Sequence, residues 1–257
     1  VGGDSELAVT VEDGVALLEM RRPPANHFDE ALIGRIVDAA TALDDDPGCR
    51  AILLAAQGRH FCAGADFGGG EFATDHVAAA ERLYRRAARL FDVRTPIVAA
   101  VHGTAVGGGL GLACAADFRV AEATTRFVAN FARLGFHAGF GLSVTLPELI
   151  GRQRATDMML TARRVGGEEA FRIGLADRLA EPGRVRETAR ALALQIAAAA
   201  PRAVRSMRAT LRGDLAARVR AALDHELAEQ RAHWATRDSA EGIAASLARR
   251  TPVFTGE

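Results

Sequence analysis

The sequence predicts an α/β fold with a helical tail. Three features carry that expectation. Short apolar runs alternate with longer segments whose apolar residues recur at helical spacing. Gly, Pro and Asp bound the short runs, as they bound buried strands. After Pro201 the strand signal disappears. Strands alternating with helices point to parallel crossover units. The 257 residues are enough for one large domain or a domain plus an appendage. The expected division is a core over 1–200 and a helical region over 201–257.

Leu7 to Glu12 alternates, Asp13-Gly14 follows, and Val15 to Met20 resumes as an apolar run, so a β-hairpin is expected. Arg22-Pro23-Pro24 stops it. From Asp29 to Asp44, Leu32, Ile33, Ile36, Val37, Ala40 and Leu43 share one helical face. Ala51 to Ala55 reads as a buried strand, and Gln57 to Gly70 as a glycine-rich loop. Asp75 to Phe91 reads as a helix, and Pro96 to Val101 as a second buried strand. Gly107 to Ala115 begins as a glycine turn and continues as a small-residue helix, and Phe118 to Ala121 is a third strand. Ala203 to Arg250 reads as helix with breaks near Gly213 and Gly242.

Composition excludes several function classes. Hydrophobic residues make up 49% and charged residues 25%, an ordinary globular mix. Lys+Arg and Asp+Glu are 32 each, without the basic surplus of a nucleic-acid protein. Every cationic residue is arginine, which excludes Schiff-base, pyridoxal-anchoring and P-loop lysines. Cys49, Cys62 and Cys114 are widely spaced and odd in number, so reduced thiols and a cytoplasmic location are expected. The stretch Val1 to Glu6 has no signal-peptide pattern, and no apolar run is long enough to span a membrane.

Some motifs fail on inspection. The glycines from Gly107 to Gly111 fit no register of Gly-x-Gly-x-x-Gly. Ser143 lacks the last glycine of a nucleophile elbow. His225, Glu229 and His233 share a helical face, but a metal there needs a further ligand, so no metal is expected. Two segments stand out together: His60-Phe-Cys-Ala-Gly-Ala-Asp66 after one strand, and His102-Gly-Thr-Ala-Val-Gly-Gly-Gly-Leu-Gly111 after the next. Such small residues let a ligand approach backbone N–H groups, and the second turn opens a helix whose N-terminus favours negative charge. Two such turns on neighbouring strands can aim two N–H groups at one oxygen, an oxyanion hole made of backbone.

With those segments the chain resembles the crotonase superfamily, the enoyl-CoA hydratase/isomerase family. The resemblance also takes in Arg22-Pro23 with Asn26, Ala116-Asp-Phe-Arg119, Leu134-Gly135, Leu160-Thr-Ala162, Ala170 with Gly174-Leu175, and the tail from Arg249 to Phe254. It implies a spiral of ββα units and C-terminal helices that assemble trimers, often paired into hexamers. It implies an acyl-CoA ligand, with no cofactor beyond the CoA thioester and no nucleic-acid or membrane partner. The thioester oxygen would be held by the N–H groups of Ala65 and Gly108. Ala63, Ala65 and Asp66 would contact CoA, and Arg249 its phosphates. A lysine common in the family two residues after the Asp is here Gly68.

Two departures bear on the reaction. The family's hydratase glutamates fall on Gly111 and Phe131, so neither carboxylate that activates water is present. Phe131, Phe136 and Phe140, with Gly111, are expected to form an apolar acyl pocket. His137, in a loop where some family members place an aspartate, is the candidate titrating group. The expected function is an acyl-CoA enzyme that stabilises a thioester enolate and is not an ordinary hydratase. The alternative is an acyl-CoA binding or carrier protein that has lost catalysis.

Overall fold

A computed structural model describes residues 6–67, 72 and 74–257. Residues 1–5, Gly68 and the end of the glycine-rich loop lie outside the described residues. Strands β1 (Leu7–Glu12) and β2 (Val15–Met20) form the expected antiparallel hairpin. Its two turn residues have φ of 53° at Asp13 and 80° at Gly14. A two-residue turn that follows the strand twist needs positive φ at both positions, and Asp-Gly tolerates it.

The chain continues through α1 (Glu30–Leu43), β3 (Ala51–Ala56), α2 (His76–Ala88) and β4 (Ile97–Ala100). Asp29 caps α1 by accepting from the Leu32 N–H at 2.9 Å, and Asp75 caps α2 by accepting from Ala78 N–H at 2.9 Å. Next come β5 (Thr104–Val106), α3 (Gly108–Ala115), β6 (Phe118–Glu122) and β7 (Arg126–Val128). A 3₁₀ turn over Phe131–Leu134 leads to α4 (Leu142–Ile150), α5 (Arg152–Thr161), β8 (Arg164–Gly166), α6 (Gly167–Ile173), β9 (Arg178–Ala180) and α7 (Val185–Ala197). The tail is α8 (Pro201–Arg212), α9 (Leu215–Trp234) and α10 (Arg237–Leu247).

One sheet has the order β1-β2-β3-β4-β6-β9, parallel beyond the hairpin, and a smaller one has the order β5-β7-β8. Twice the chain leaves the large sheet for the small one: β4 leads to β5 and returns through α3 to β6, and β6 leads to β7, then through α4 and α5 to β8, and returns through α6 to β9. Strands β3 and β4 are covered on both faces. Leu18, Ile52, Leu54 and Ala99 pack with α1 and α3, whereas Leu53, Ala55, Val98 and Ala100 pack with Ala189, Leu192 and Ala193 of α7. That two-sided burial is why these strands read as continuous apolar runs.

Two local expectations need correction. Strand β5 lies between β4 and α3, where the sequence suggested only a turn. It is three residues long, too short for a visible alternation. Gly242 does not break a helix; it lies inside α10, and the break between the last two helices falls at Ala235 and Thr236. Gly242 serves packing: a β-carbon there would stand 2.5 Å from the Leu134 carbonyl carbon. Gly135 faces α10 in the same way, 2.6 Å from the Asp238 oxygen. The tail packs on its own chain, α9 against α2 and α4, and α10 against the 3₁₀ turn. Helix α8 is bolted down by arginines, with Arg208 and Arg212 each 2.8 Å from Asp117.

Candidate functional site

The two small-residue turns run side by side. The Phe61 N–H donates to the His102 oxygen at 2.9 Å, Cys62 N–H to Thr104 at 3.1 Å, and Val106 N–H to Cys62 at 3.0 Å. Both turns then bend through glycines with positive φ, 87° at Gly64 and 55° at Gly107, where any side chain would be strained.

Peptide planarity sets where the next two N–H groups point. In a trans peptide the C=O and N–H lie on opposite sides. The Gly64 oxygen faces the α1 side, accepting from Phe28 N–H at 3.1 Å and lying 3.2 Å from His27 Nδ1. The Ala65 N–H on the same peptide therefore points away from Phe28. The Gly107 oxygen faces down α3, accepting from Gly111 N–H at 3.1 Å. The Gly108 N–H therefore points out of the helix N-terminus, which favours negative charge. The β-carbon position of Gly64 is 3.7 Å from the Gly108 nitrogen, so the two peptides are neighbours.

Ala65 and Gly108 both line a cleft of about 300 Å³. Of the residues expected at a ligand site, Ala63, Ala65, Asp66, Gly108, Phe131, Phe136 and Arg249 line it. Gly111 and Phe140 do not; they stand behind the wall. A β-carbon on Gly111 would lie 2.6 Å from that of Phe140. Phe140 fills the volume that a side chain at 111 would need, at φ 63°, with its ring 5.8 Å from Phe28 and 6.1 Å from Tyr84.

His137 also lies elsewhere. It lines a second cavity of about 410 Å³ with Met159, Leu160 and His233, and Phe131 and Phe136 border both spaces. Its Nδ1 is 2.7 Å from the Ala138 oxygen, and its ring stacks edge-on to His225 at 5.7 Å. That contact gathers no metal site: among the described residues no three His, Cys, Asp or Glu side chains converge.

Sequence reasoning missed several groups. His27 and Asn130 line the cleft near the N–H pair, and Tyr84 lines it from α2. Tyr84 falls among the apolar positions of an amphipathic helix, so its pattern gave core, not site. Behind Phe140, Glu226 is fully buried and accepts from Gly141 N–H at 2.9 Å and Ser143 N–H at 3.0 Å. It caps α4 from 85 residues away in sequence, which no local signal reveals. Burial pushes the Glu226 carboxyl and the Tyr84 phenol up. Burial also pushes the Cys62 thiol up to about 12, so it is inert beside the site. No helix among the described residues is long and apolar enough to cross a membrane.

Known proteins share this architecture. The family model described as enoyl-CoA hydratase/isomerase matches residues 10–257. A crotonyl-CoA hydratase of Syntrophomonas wolfei is 32% identical, covering 95% of each chain. A 1,2-epoxyphenylacetyl-CoA isomerase of Escherichia coli is 30% identical over 96% of this chain and 97% of its own. The crystal structure of an enoyl-CoA hydratase/isomerase from Pseudoalteromonas atlantica superposes with a TM-score of 0.87 at 29% identity, covering 98% of this chain and all of that one.

Proposed function

The chain belongs to the enoyl-CoA hydratase/isomerase family, and from that premise we propose that it binds an acyl-CoA with the thioester oxygen between the N–H groups of Ala65 and Gly108. The observation that supports this reading is the orientation of the two peptides, whose carbonyls are engaged away from one another's N–H groups while Ala65 and Gly108 line one cleft. Two such donors stabilise an enolate oxygen by roughly 2.7–4 kcal/mol each when water is excluded. Ala63 and Asp66 would contact the nucleotide end, and Arg249 at the mouth would meet its phosphates. No cofactor beyond the CoA thioester is called for. Helices α8 to α10 would join copies into a trimer or hexamer in the cytoplasm.

Ordinary hydration is not the reaction we propose. The positions of the two family glutamates hold Gly111 and Phe131, and Phe140 occupies the space beside Gly111. His137 is the candidate base for proton transfer at the acyl group, which it would have to reach past the partition of Phe131 and Phe136. That placement favours a second reading, a binding or carrier protein without catalysis.

One experiment separates them. The protein is incubated with butyryl-CoA in D₂O, and exchange at the α-carbon is followed by mass spectrometry. An enzyme exchanges, and His137→Gln stops the exchange while butyryl-CoA still binds. Binding without exchange supports the carrier. Absence of binding overturns the acyl-CoA reading altogether. Crotonyl-CoA hydration should run roughly 10²–10⁴-fold below an efficient hydratase, and a normal turnover would overturn the missing-carboxylate argument.

A further inference from the structure

The Gly64–Ala65 peptide carries one of the two proposed donors, and its glycine leaves it free to face either way. Gly64 stands at φ 87° and has no β-carbon to obstruct a turnover of the peptide. Turned over, that peptide would present a carbonyl oxygen where the reading above needs an N–H. The other donor has a support that this one lacks. Gly108 opens α3, whose aligned peptides polarise its N–H. Ala65 opens no helix; it forms an isolated bridge with Phe28.

Two donors from the segment before α1 hold this carbonyl. Phe28 N–H donates to the Gly64 oxygen at 3.1 Å, and His27 Nδ1 lies 3.2 Å from the same oxygen. A carbonyl oxygen only accepts, so Nδ1 carries the proton, and the two donors take both lone pairs. This is the one hydrogen bond of the His27 side chain among the described residues. The turn that presents His27 is built without it. Asn26 is fully buried at φ 50°, accepts from Arg22 N–H at 2.9 Å, and donates to the oxygens of Gln57 at 2.6 Å and His60 at 2.7 Å. Ala63 N–H donates to the Ala25 oxygen at 2.9 Å, which ties the two segments side by side. The imidazole is therefore not needed for the turn, and its bond goes to the peptide of the site.

We propose that His27 is a positioning residue: its Nδ1–H locks the Gly64–Ala65 peptide with the N–H turned towards the thioester oxygen and polarises it, doing for Ala65 what α3 does for Gly108. The proposal rests on the acyl-CoA reading above and names what sets the donor strength of that site. A hydrogen bond to a peptide oxygen strengthens the bond given by the same peptide's N–H, by roughly 10–30% in condensed phase.

The test reads the thioester carbonyl stretch of bound butyryl-CoA, with ¹³C at that carbon to isolate the band. In the parent the band should lie below its solution value. His27→Phe and His27→Ala lack the donor and should lose at least about 10–30% of that downshift. His27→Asn places an amide nitrogen where the imidazole has Nδ1 and should restore it. A side chain that only fills space would be replaced best by Phe, and Asn would rescue nothing. A second readout needs no ligand. In ¹⁵N-histidine-labelled protein, in mildly alkaline buffer where an ordinary imidazole is neutral, His27 should show the Nδ1-protonated tautomer. Its signals are the set that the substitutions remove. A His27 protonated on Nε2, donor-free variants with the parent's full downshift, or an Asn variant no better than Phe overturns the proposal while the acyl-CoA reading stands. A parent that binds butyryl-CoA without a downshift overturns the oxyanion assignment and the proposal with it. Absence of binding overturns the acyl-CoA reading as well.

Discussion

Replacing Gly109 with alanine puts a methyl group 2.3 Å from the Cys62 carbonyl oxygen and 2.9 Å from its carbon. The obstacle is backbone, not a flexible side chain, so the two turns must separate by about 1 Å to reach ordinary contact. Separation strains the bond from Val106 N–H to that same oxygen, now 3.0 Å. Overpacking of this kind costs typically 1–3 kcal/mol, and the lost bond about 0.5–1.5 kcal/mol more. Alanine's helix propensity returns about 1 kcal/mol. The net expectation is a loss of roughly 0.5–3.5 kcal/mol, read by urea denaturation. A second readout follows the thioester carbonyl stretch of bound butyryl-CoA. With the two N–H donors placed as proposed, its frequency in the parent should lie below the solution value, and in Gly109→Ala it should move back towards it. Gly34→Ala is the control. Gly34 is interior to α1, and the nearest atoms to its β-carbon would be those of the Arg86 guanidinium, from 3.4 Å. That variant should be unchanged or slightly stabilised. If Gly109→Ala matches the parent within about 0.5 kcal/mol and keeps the carbonyl shift, the close pairing of the turns does not set the donor geometry.

Two further outcomes are expected. Glu226→Ala leaves the Gly141 and Ser143 N–H groups buried without their acceptor and should cost at least about 1–3 kcal/mol in urea denaturation, with Glu226→Gln intermediate; equal midpoints for all three proteins would show that this cap is idle. His60 and His76 are held below their ordinary value of 6.5, chiefly by burial and for His60 also by Arg59, His102 and His27. The folded state then binds fewer protons than the unfolded one, so this contribution falls as pH drops below about 6.5 towards the lowered values. The double variant His60→Gln/His76→Gln should flatten the acid slope of stability below about pH 6.5, and an unchanged slope would refute the assignment.

Much of the frame could be read along the chain because its causes are local. The hairpin follows from Asp13-Gly14, α1 from one apolar face and the Asp29 cap, and the two glycine turns from residues whose smallness has few other uses. What stayed hidden depends on contacts distant in sequence. Nothing near Gly111 says that Phe140 fills its missing side chain, since the two meet only after α3 and the loop before α4 fold together. His137 follows Phe136 directly and both line the outer cavity, yet of the two only Phe136 also reaches the cleft. Gly242 looks like a helix break until the carbonyl of Leu134 is placed against it.

That last contact has a mechanical meaning. At Gly135 and Gly242, α10 and the turn carrying Phe131 touch backbone to backbone, with no side chain between them to yield. Ile243, Ser246, Leu247 and Arg249 of this C-terminal segment form the mouth of the cleft, while Phe131 and Phe136 form its inner wall. Entrance and wall therefore share one seam of bare backbone. A side chain added at Gly135 or Gly242 has no soft neighbour to displace, so either substitution should disturb the mouth and the aromatic wall together.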